Sequence, residues 1–390
     1  WGVIPQYTLR GDWGLTVVGG DLRRYAADHY GRVRSVDGFS IGSPVQYYRY
    51  ETAKTSVSIY LHQLVNLTPA LTALFDLKYT RHGYAFDQES VGAYGNPYQY
   101  ALTHQFLDPR LGLHLKLSDA LSIMANLSRA QREPADSDIY DADDPGAVPA
   151  LEGAPDIRRG LDMPLIKAEE LWDLELGWLY DSPVLRLGGG LYSMWFRNEL
   201  IPLSYRTITD DGVPIHGNAD LTVHRGVEAE LALQLPAGLA LDGSLTIADN
   251  RFEQYSTFEW QVDSSVNHGG NQIPGHPQSM GRMRLKWASS LVDLWGEGRY
   301  TGRIFLDRQN TVAAAIDPSL VINAGFVLRP PVSLAGPLSH MRLNIKVNNL
   351  LDSLYETFGY TYYDGWPPYR VDVYWPAATR SYFAELVVRF

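Results

Sequence analysis

Period-two alternation runs through this chain from one end to the other, and it leaves room for little except antiparallel strands. In "RLNIKVN", Leu343, Ile345 and Val347 alternate with Arg342, Asn344, Lys346 and Asn348. "LWDLELGWLY" sets Trp172, Leu174, Leu176, Trp178 and Tyr180 against Asp173 and Glu175. In the same way Val227, Ala229, Leu231 and Leu233 oppose Glu228, Glu230 and Gln234, and Leu71, Ala73, Phe75, Leu77 and Tyr79 oppose Thr72, Asp76 and Lys78. Successive side chains of a strand point to opposite faces, so each segment carries one apolar and one polar face. The alternation predicts about fifteen strands, at 3–10, 14–25, 46–63, 70–85, 103–117, 121–131, 169–181, 184–199, 222–235, 239–250, 278–289, 292–305, 319–329, 340–350 and 380–390. No amphipathic helix competes with them.

The connections sort into two kinds. Every second one is tight: "NLTPA", "LSDA", "YDSPVL", "LPAGL", "ASSLV" and the somewhat longer "PPVSLAGPLS". The alternate ones are long and rich in Gly, Pro, Asp, Asn and aromatics, covering roughly 26–45, 86–102, 132–168, 200–221, 251–277, 306–318 and 351–379. A transmembrane β-barrel has this asymmetry, with short periplasmic turns and long extracellular loops. Counting back from Phe390 in the periplasm puts all the tight turns on that side.

The charges agree with the loops. Asp76, Lys78, Asp173, Glu175, Glu228, Glu230, Arg342 and Lys346 all belong to the polar set. Unpaired charges do not fill a dry core, but they line a wet lumen at little cost. The apolar face then meets lipid. Aromatics near strand ends (Tyr79, Trp172, Trp178, Tyr180, Trp195, Trp287, Trp295, Tyr300 and Tyr382) suit the girdles at the two interfaces. The competing reading, a large soluble β protein with half-solvated sheets, leaves the loop asymmetry unexplained.

Composition narrows the function classes. The net charge of -11 argues against nucleic acid as a partner. With no cysteine, disulfides, thiolate metal sites and cysteine nucleophiles are all absent. No apolar run of about eighteen residues forms a transmembrane helix. The start "WGVIPQYTLRGDWG" has neither an initiating Met nor a signal peptide, which is expected of a chain that was processed, cut, or taken from partway through a gene product.

No chemistry localises to a catalytic motif. The elbow Gly-x-Ser-x-Gly does not occur, no cofactor motif is present, and an enzyme is not expected. The acidic run with Asp136, Asp138, Asp141, Asp143 and Asp144 offers oxygen ligands for calcium but lacks the Gly and distal Glu of an EF-hand, so it reads as a solvated loop. His268 and His276 share one loop and read as ordinary loop histidines rather than metal ligands. The strongest ligand candidate is the last long loop. Within 355–375 it gathers Tyr355, Phe358, Tyr360, Tyr362, Tyr363, Trp366, Tyr369, Tyr374 and Trp375, with Arg370 and Asp372 to supply polar selectivity. Rings at this density stack on sugars, catechols or macrocycles, pack on one another, or sit at the outer interface with lipopolysaccharide.

The C-terminal third resembles the end of a TonB-dependent outer-membrane receptor. Asn349, Leu350, Leu351, Asp352 and Tyr355 match the segment leaving the penultimate strand, Pro376 and Arg380 match the start of the last strand, and Phe390 is the closing aromatic. "KAEELWDLELGWLY", "YSMWFRNELI", "HRGVEAEL" and "NQIPGHPQSMGRMRLKW" are similar to family barrel segments, and "REPADSDIYDA" to a family loop. The resemblance implies residence in the Gram-negative outer membrane. It implies a barrel of about 22 strands, plugged by an N-terminal domain that meets the TonB–ExbB–ExbD complex. It further implies uptake of a scarce ligand such as a siderophore, cobalamin or oligosaccharide, contacts with outer-membrane lipid and lipopolysaccharide, and a terminal strand, from Tyr382 to Phe390, read by the barrel-assembly machinery. With 14–16 strands visible, residues 1–390 are expected to be one barrel domain, the C-terminal part of a receptor without its plug and first strands. A self-contained barrel of 14 or 16 strands, and a passive porin-like or structural barrel, remain the alternatives.

Overall fold

The computed structural model describes residues 1–36, 38–89, 97–142, 149–151, 165–202, 216–259, 264–330, 340–365 and 369–389. The chain begins with β1 (Gly2–Val3), β2 (Gln6–Gly11), β3 (Gly14–Val36), β4 (Phe39–Asn66), β5 (Leu71–Gln88), β6 (Gln99–Lys116) and β7 (Leu121–Arg132). A one-turn helix α1 (Asp136–Ile139) precedes β8 (Glu169–Asp181), β9 (Leu185–Pro202), β10 (His216–Gln234) and β11 (Leu239–Gln254). Then come β12 (Ser256–Glu259), β13 (Ser264–Asn267), β14 (Ser279–Ala288), β15 (Val292–Thr301), β16 (Ile304–Phe305), β17 (Ala315–Ile316) and β18 (Ser319–Leu328). The last strands are β19 (His340–Asn348), β20 (Glu356–Asp364), β21 (Tyr369–Pro376) and β22 (Ser381–Arg389).

Sixteen of these strands form one antiparallel sheet in the order β1-β3-β4-β5-β6-β7-β8-β9-β10-β11-β14-β15-β18-β19-β22, with β2 also on β3. The order ends at β22 rather than returning to β1. The pairs β12–β13, β16–β17 and β20–β21 are separate hairpins. Sixteen replaces the expected fifteen because Pro5, which has no N–H to donate, divides the first segment into β1 and β2. No helix among the described residues is long and apolar enough to cross a membrane.

Four of the tight turns share one device. Thr68 Oγ1 accepts from the Leu71 N–H at 2.9 Å, and Ser118, Ser182 and Ser289 accept in the same way from Leu121, Leu185 and Val292 at 3.1, 3.1 and 3.0 Å. A hydroxyl reaching three residues ahead satisfies a turn N–H that the ladder cannot.

Three expected loops are corrected. Residues 26–36 and 39–45 are strand: β3 and β4 stay paired from Ala26↔Ala53 to Val36↔Phe39, with irregularities near Gly31 and Val33. Segments 251–277 and 351–379 contain the hairpins β12–β13 and β20–β21. The ladder needs only backbone groups, and alternation is written in sequence only where the two faces meet different surroundings.

The chain divides into two compact units. The first comprises Trp1–Leu113, Asn126–Asp173 and Trp195–Thr222. Its buried cluster includes Tyr84, Phe86, Tyr100 and Leu102 from β5 and β6, with Tyr98, Ile139, Tyr140 and Leu151. The second comprises His114–Ala125, Leu174–Met194 and Val223–Phe390. In it the registers Leu285↔Gly296↔Ala324↔Val347 and Trp287↔Leu294↔Phe326↔Ile345 build one wholly apolar face. Leu285 and Met283 on this face stay 52% and 58% exposed, as a lipid-facing surface requires and a water-facing one would not. Trp295 departs from its expected girdle position: it lies on the other face, under the Arg284 guanidinium at 4.7 Å. Its register partner Gly325 places it among the charges, one residue out of phase with Leu294 and Gly296.

That polar face carries an ion-pair ladder. Glu297 accepts from Arg282 at 2.8 Å and from Arg299 at 2.6 Å, while Asp293 pairs with Arg329 at 2.6 Å. Replacing Glu297 with Gln leaves two guanidiniums on a neutral acceptor. Since both are partly solvated, the expected loss is about 1–2 kcal/mol, read as a lower unfolding midpoint in detergent. An unchanged midpoint would show that the ladder is ornamental to stability.

Candidate functional site

The last long loop is an ordered two-faced hairpin. The register Phe358↔Trp375, Tyr360↔Val373, Tyr362↔Val371 and Asp364↔Tyr369 puts Phe358, Tyr360, Tyr362, Tyr369 and Trp375 on one face. Gly359↔Tyr374, Thr361↔Asp372 and Tyr363↔Arg370 make the other. On the first face the rings run together: Phe358–Trp375 at 5.1 Å, Tyr360–Trp375 at 5.5 Å and Tyr360–Tyr362 stacked at 5.9 Å. Phe358, Tyr369 and Trp375 remain exposed. Cross-strand aromatic pairs hold a hairpin flat and leave their outer surfaces open to a planar ligand.

The second face is buried at Gly359 and exposed at Tyr363. A Cβ on Gly359 would lie 2.8 Å from the Val373 carbonyl oxygen and 2.7 Å from Leu306 Cδ1, so the cross-strand backbone requires glycine where the hairpin meets Leu306. The Tyr374 hydroxyl reaches the Ala313 carbonyl at 3.5 Å. Burial, aided by the Asp372 carboxylate, raises the Tyr374 hydroxyl above the usual tyrosine range. Arg370 pairs with Asp372 at 3.0 Å.

The expected ligand residues are therefore split. Tyr360, Tyr362, Tyr369 and Trp375 share the ring face, while Tyr363, Arg370 and Tyr374 lie on the other; Trp366 falls outside the described residues. Tyr382 sits opposite Val347 and is exposed, and Phe390 falls outside the described residues.

A clamp closes the hairpin's base. Asn349, in the left-handed region at φ 50°, donates from Nδ2 to the carbonyls of Ser353 (2.8 Å) and Ala378 (3.4 Å), and accepts from the Ser353 N–H at 2.9 Å. Its own N–H donates to Asn323 Oδ1 at 2.9 Å. Asp352, also left-handed at φ 57°, accepts from the Arg380 N–H at 2.7 Å. Asn and Asp tolerate this backbone region better than other side chains. The motif read from the sequence thus ties the end of β19 to the start of β22.

Sequence reasoning missed a second aromatic group, in the first unit. His29 stacks on Tyr50 at 4.7 Å, Tyr50 on Phe86 at 5.2 Å and Phe86 on Tyr100 at 4.8 Å, a row across β3, β4, β5 and β6. Tyr140 covers it edge-on, 5.4 Å from Phe86, and donates to Gln88 Oε1 at 2.8 Å. The signal was present as rings two residues apart in "YRY", "YAF" and "YQY".

The acidic run departs from a solvated loop at Asp138, which is buried and accepts from the Ala135 and His216 N–H groups, each at 2.8 Å. The neighbouring Asp136 is exposed. Asp143 and Asp144 lie outside the described residues. His268 is fully buried between Phe252 and Tyr255, 2.7 Å from Thr257 Oγ1, and His276 is exposed. Among the described residues no group of three or more His, Asp or Glu could hold a metal ion.

The fold is shared with solved receptors. The ferric yersiniabactin uptake receptor FyuA from Yersinia pestis superposes with a TM-score of 0.67 at 14% identity, over 100% of this chain and 54% of that one. The ferric citrate transporter FecA gives 0.67 at 16%, over 99% and 54%. The siderophore receptor PiuA from Acinetobacter baumannii gives 0.67 at 13%, over 100% and 55%. The chain spans about half the length of the solved chains it matches, and at these identities the likeness establishes the fold alone. No curated protein matches it. The family model described as TonB dependent receptor-like, beta-barrel, matches residues 1–350, and the chain belongs to that family.

Proposed function

We propose that the chain is the barrel part of an outer-membrane receptor that takes up a scarce small ligand with energy delivered through TonB, and that the ring face of β20–β21 touches that ligand. The observation that carries the second half is the row Phe358, Trp375, Tyr360 and Tyr362, held in register across the hairpin with the Phe358 and Trp375 rings exposed. The structural neighbours are described as taking up ferric yersiniabactin and ferric citrate. A metal chelate with flat donor groups is the ligand class we favour, ahead of cobalamin or an oligosaccharide. Nothing in this reading requires catalysis.

Trp375→Ala is the direct test. Ferric chelates, cobalamin and oligosaccharides would be screened against the full-length receptor, with hydrogen exchange monitored over 356–376. The bound ligand is expected to protect β20–β21, and Trp375→Ala to weaken it by about 2 kcal/mol, roughly thirty-fold in Kd. A ligand that binds tightly while leaving both the exchange of β20–β21 and the affinity of the variant unchanged would refute the assignment.

A further inference from the structure

The apolar face of the second unit contains a preformed groove that the uptake function does not use. On this face β15 presents Leu294, Gly296, Gly298 and Tyr300, two glycines between two large side chains. Gly296 is opposite Leu285 on one side and Ala324 on the other; Leu294 is opposite Trp287 and Phe326. The result is a concavity of about 410 Å³, walled by Leu239, Leu285, Trp287, Leu294, Phe326 and Ile345, with no charged residue in its lining. A Cβ on Gly296 would meet nothing within 4 Å, so the trough is open above that residue.

The walls are held in place. Trp287 Nε1 donates to the Ala237 carbonyl at 3.0 Å, which pins the indole to the neighbouring turn. At the far end Ile322 leans over the second glycine, its Cδ1 3.4 Å from where a Gly298 Cβ would be. A trough with glycine at its floor and a pinned indole at its wall leaves its lining without dispersion partners until something fills it.

We infer that this groove seats one acyl chain of a phospholipid from the leaflet on the tight-turn side. The inference rests on the membrane reading of the apolar face and is independent of the ligand proposed for β20–β21. Two observations select this occupant. The groove is continuous with the lipid-facing surface and wholly apolar, so a hydrocarbon chain meets no unsatisfied group. It also begins two residues beyond the start of β15, beside the Ser289–Leu291 turn. Tight turns of outer-membrane barrels are periplasmic, where the leaflet is phospholipid and not lipopolysaccharide. A chain seated against small residues exchanges more slowly than one lying on a convex surface, since it keeps contacts on three sides.

The experiment uses the full-length protein in vesicles of phosphatidylethanolamine and phosphatidylglycerol, doped with a phospholipid bearing a diazirine in its acyl chain. After photolysis, label is expected to concentrate on Leu285, Leu294 and Phe326, several-fold above Leu111 and Leu113 on β6. Gly296→Leu fills the trough and is expected to bring that label down to the β6 level with folding unchanged. Ala324→Leu fills it from β18 and is expected to do the same, which keeps the test decisive if the first variant fails to assemble. Label spread evenly over the apolar face, or an undiminished signal in a folded variant, would overturn the inference. So would a wild-type dimer that Gly296→Leu converts to a monomer, because the groove would then hold a second copy of the chain.

Discussion

Asn349→Ala is expected to destabilise the protein by about 3–5 kcal/mol, the largest effect of any single polar side chain described above. Three side-chain hydrogen bonds are lost, and the Ser353 and Ala378 groups they served are left at a site where Asn349 is only 3% exposed. Each such loss is worth about 1 kcal/mol, more where the partner stays buried. Alanine in the left-handed region adds about 1 kcal/mol that asparagine largely avoids. Asn349→Gly separates the contributions: glycine accepts the backbone at no steric cost, so it should recover about 1 kcal/mol of the loss. Denaturant unfolding in detergent measures the total. Amide exchange should rise throughout 356–376 in both variants, because the clamp ties the base of that hairpin to β19 and β22. If Asn349→Ala unfolds at the wild-type midpoint, the clamp contributes nothing and the motif needs another explanation.

Phe86→Ala is expected to cost about 3–5 kcal/mol, the usual range for deleting a buried aromatic side chain. Phe86 is 3% exposed and touches three rings, Tyr50, Tyr100 and Tyr140, between 4.8 and 5.4 Å. Its loss breaks the stacked row in the middle and removes the surface that Tyr140 rests on. Protection should therefore fall at 133–142 and 149–151, segments that have little ladder of their own, while β5 and β6 keep their backbone pairing. Phe86→Leu, which retains most of the volume, should lose about half as much. Unchanged exchange at Tyr140 in the alanine variant would show that the helix α1 segment is held by Asp138 and His216 alone.

These sites differ in how far they could be read in advance. The strand set and tight turns were legible because residues such as Leu343, Ile345 and Val347 face lipid while Arg342, Asn344 and Lys346 face water, and that contrast repeats every second position. Where both faces meet similar surroundings the contrast fades. Residues 26–36 and 39–45 pair as strand with no apolar stripe, and β20–β21 sets rings against Gly, Thr, Arg and Asp without the aliphatic stripe of the barrel strands, so neither was recognisable as a ladder. Trp295 looked like an interface aromatic by its type, and one residue of phase put it over Arg284 instead.

By itself the sequence determined the all-β class, the alternating faces, the tight turns and the motif around Asn349. All of these depend on residues close together in the chain. Only the tertiary structure decided that Asn349 binds residues near 323 and 378, that Phe86 lies between Tyr50 and Tyr100, that four of the expected ligand residues share a face, and that Gly296 opens a groove between Leu285 and Ala324. Those are matters of register between strands. Register is set by the summed pairing of whole ladders, and no single stretch of sequence contains it.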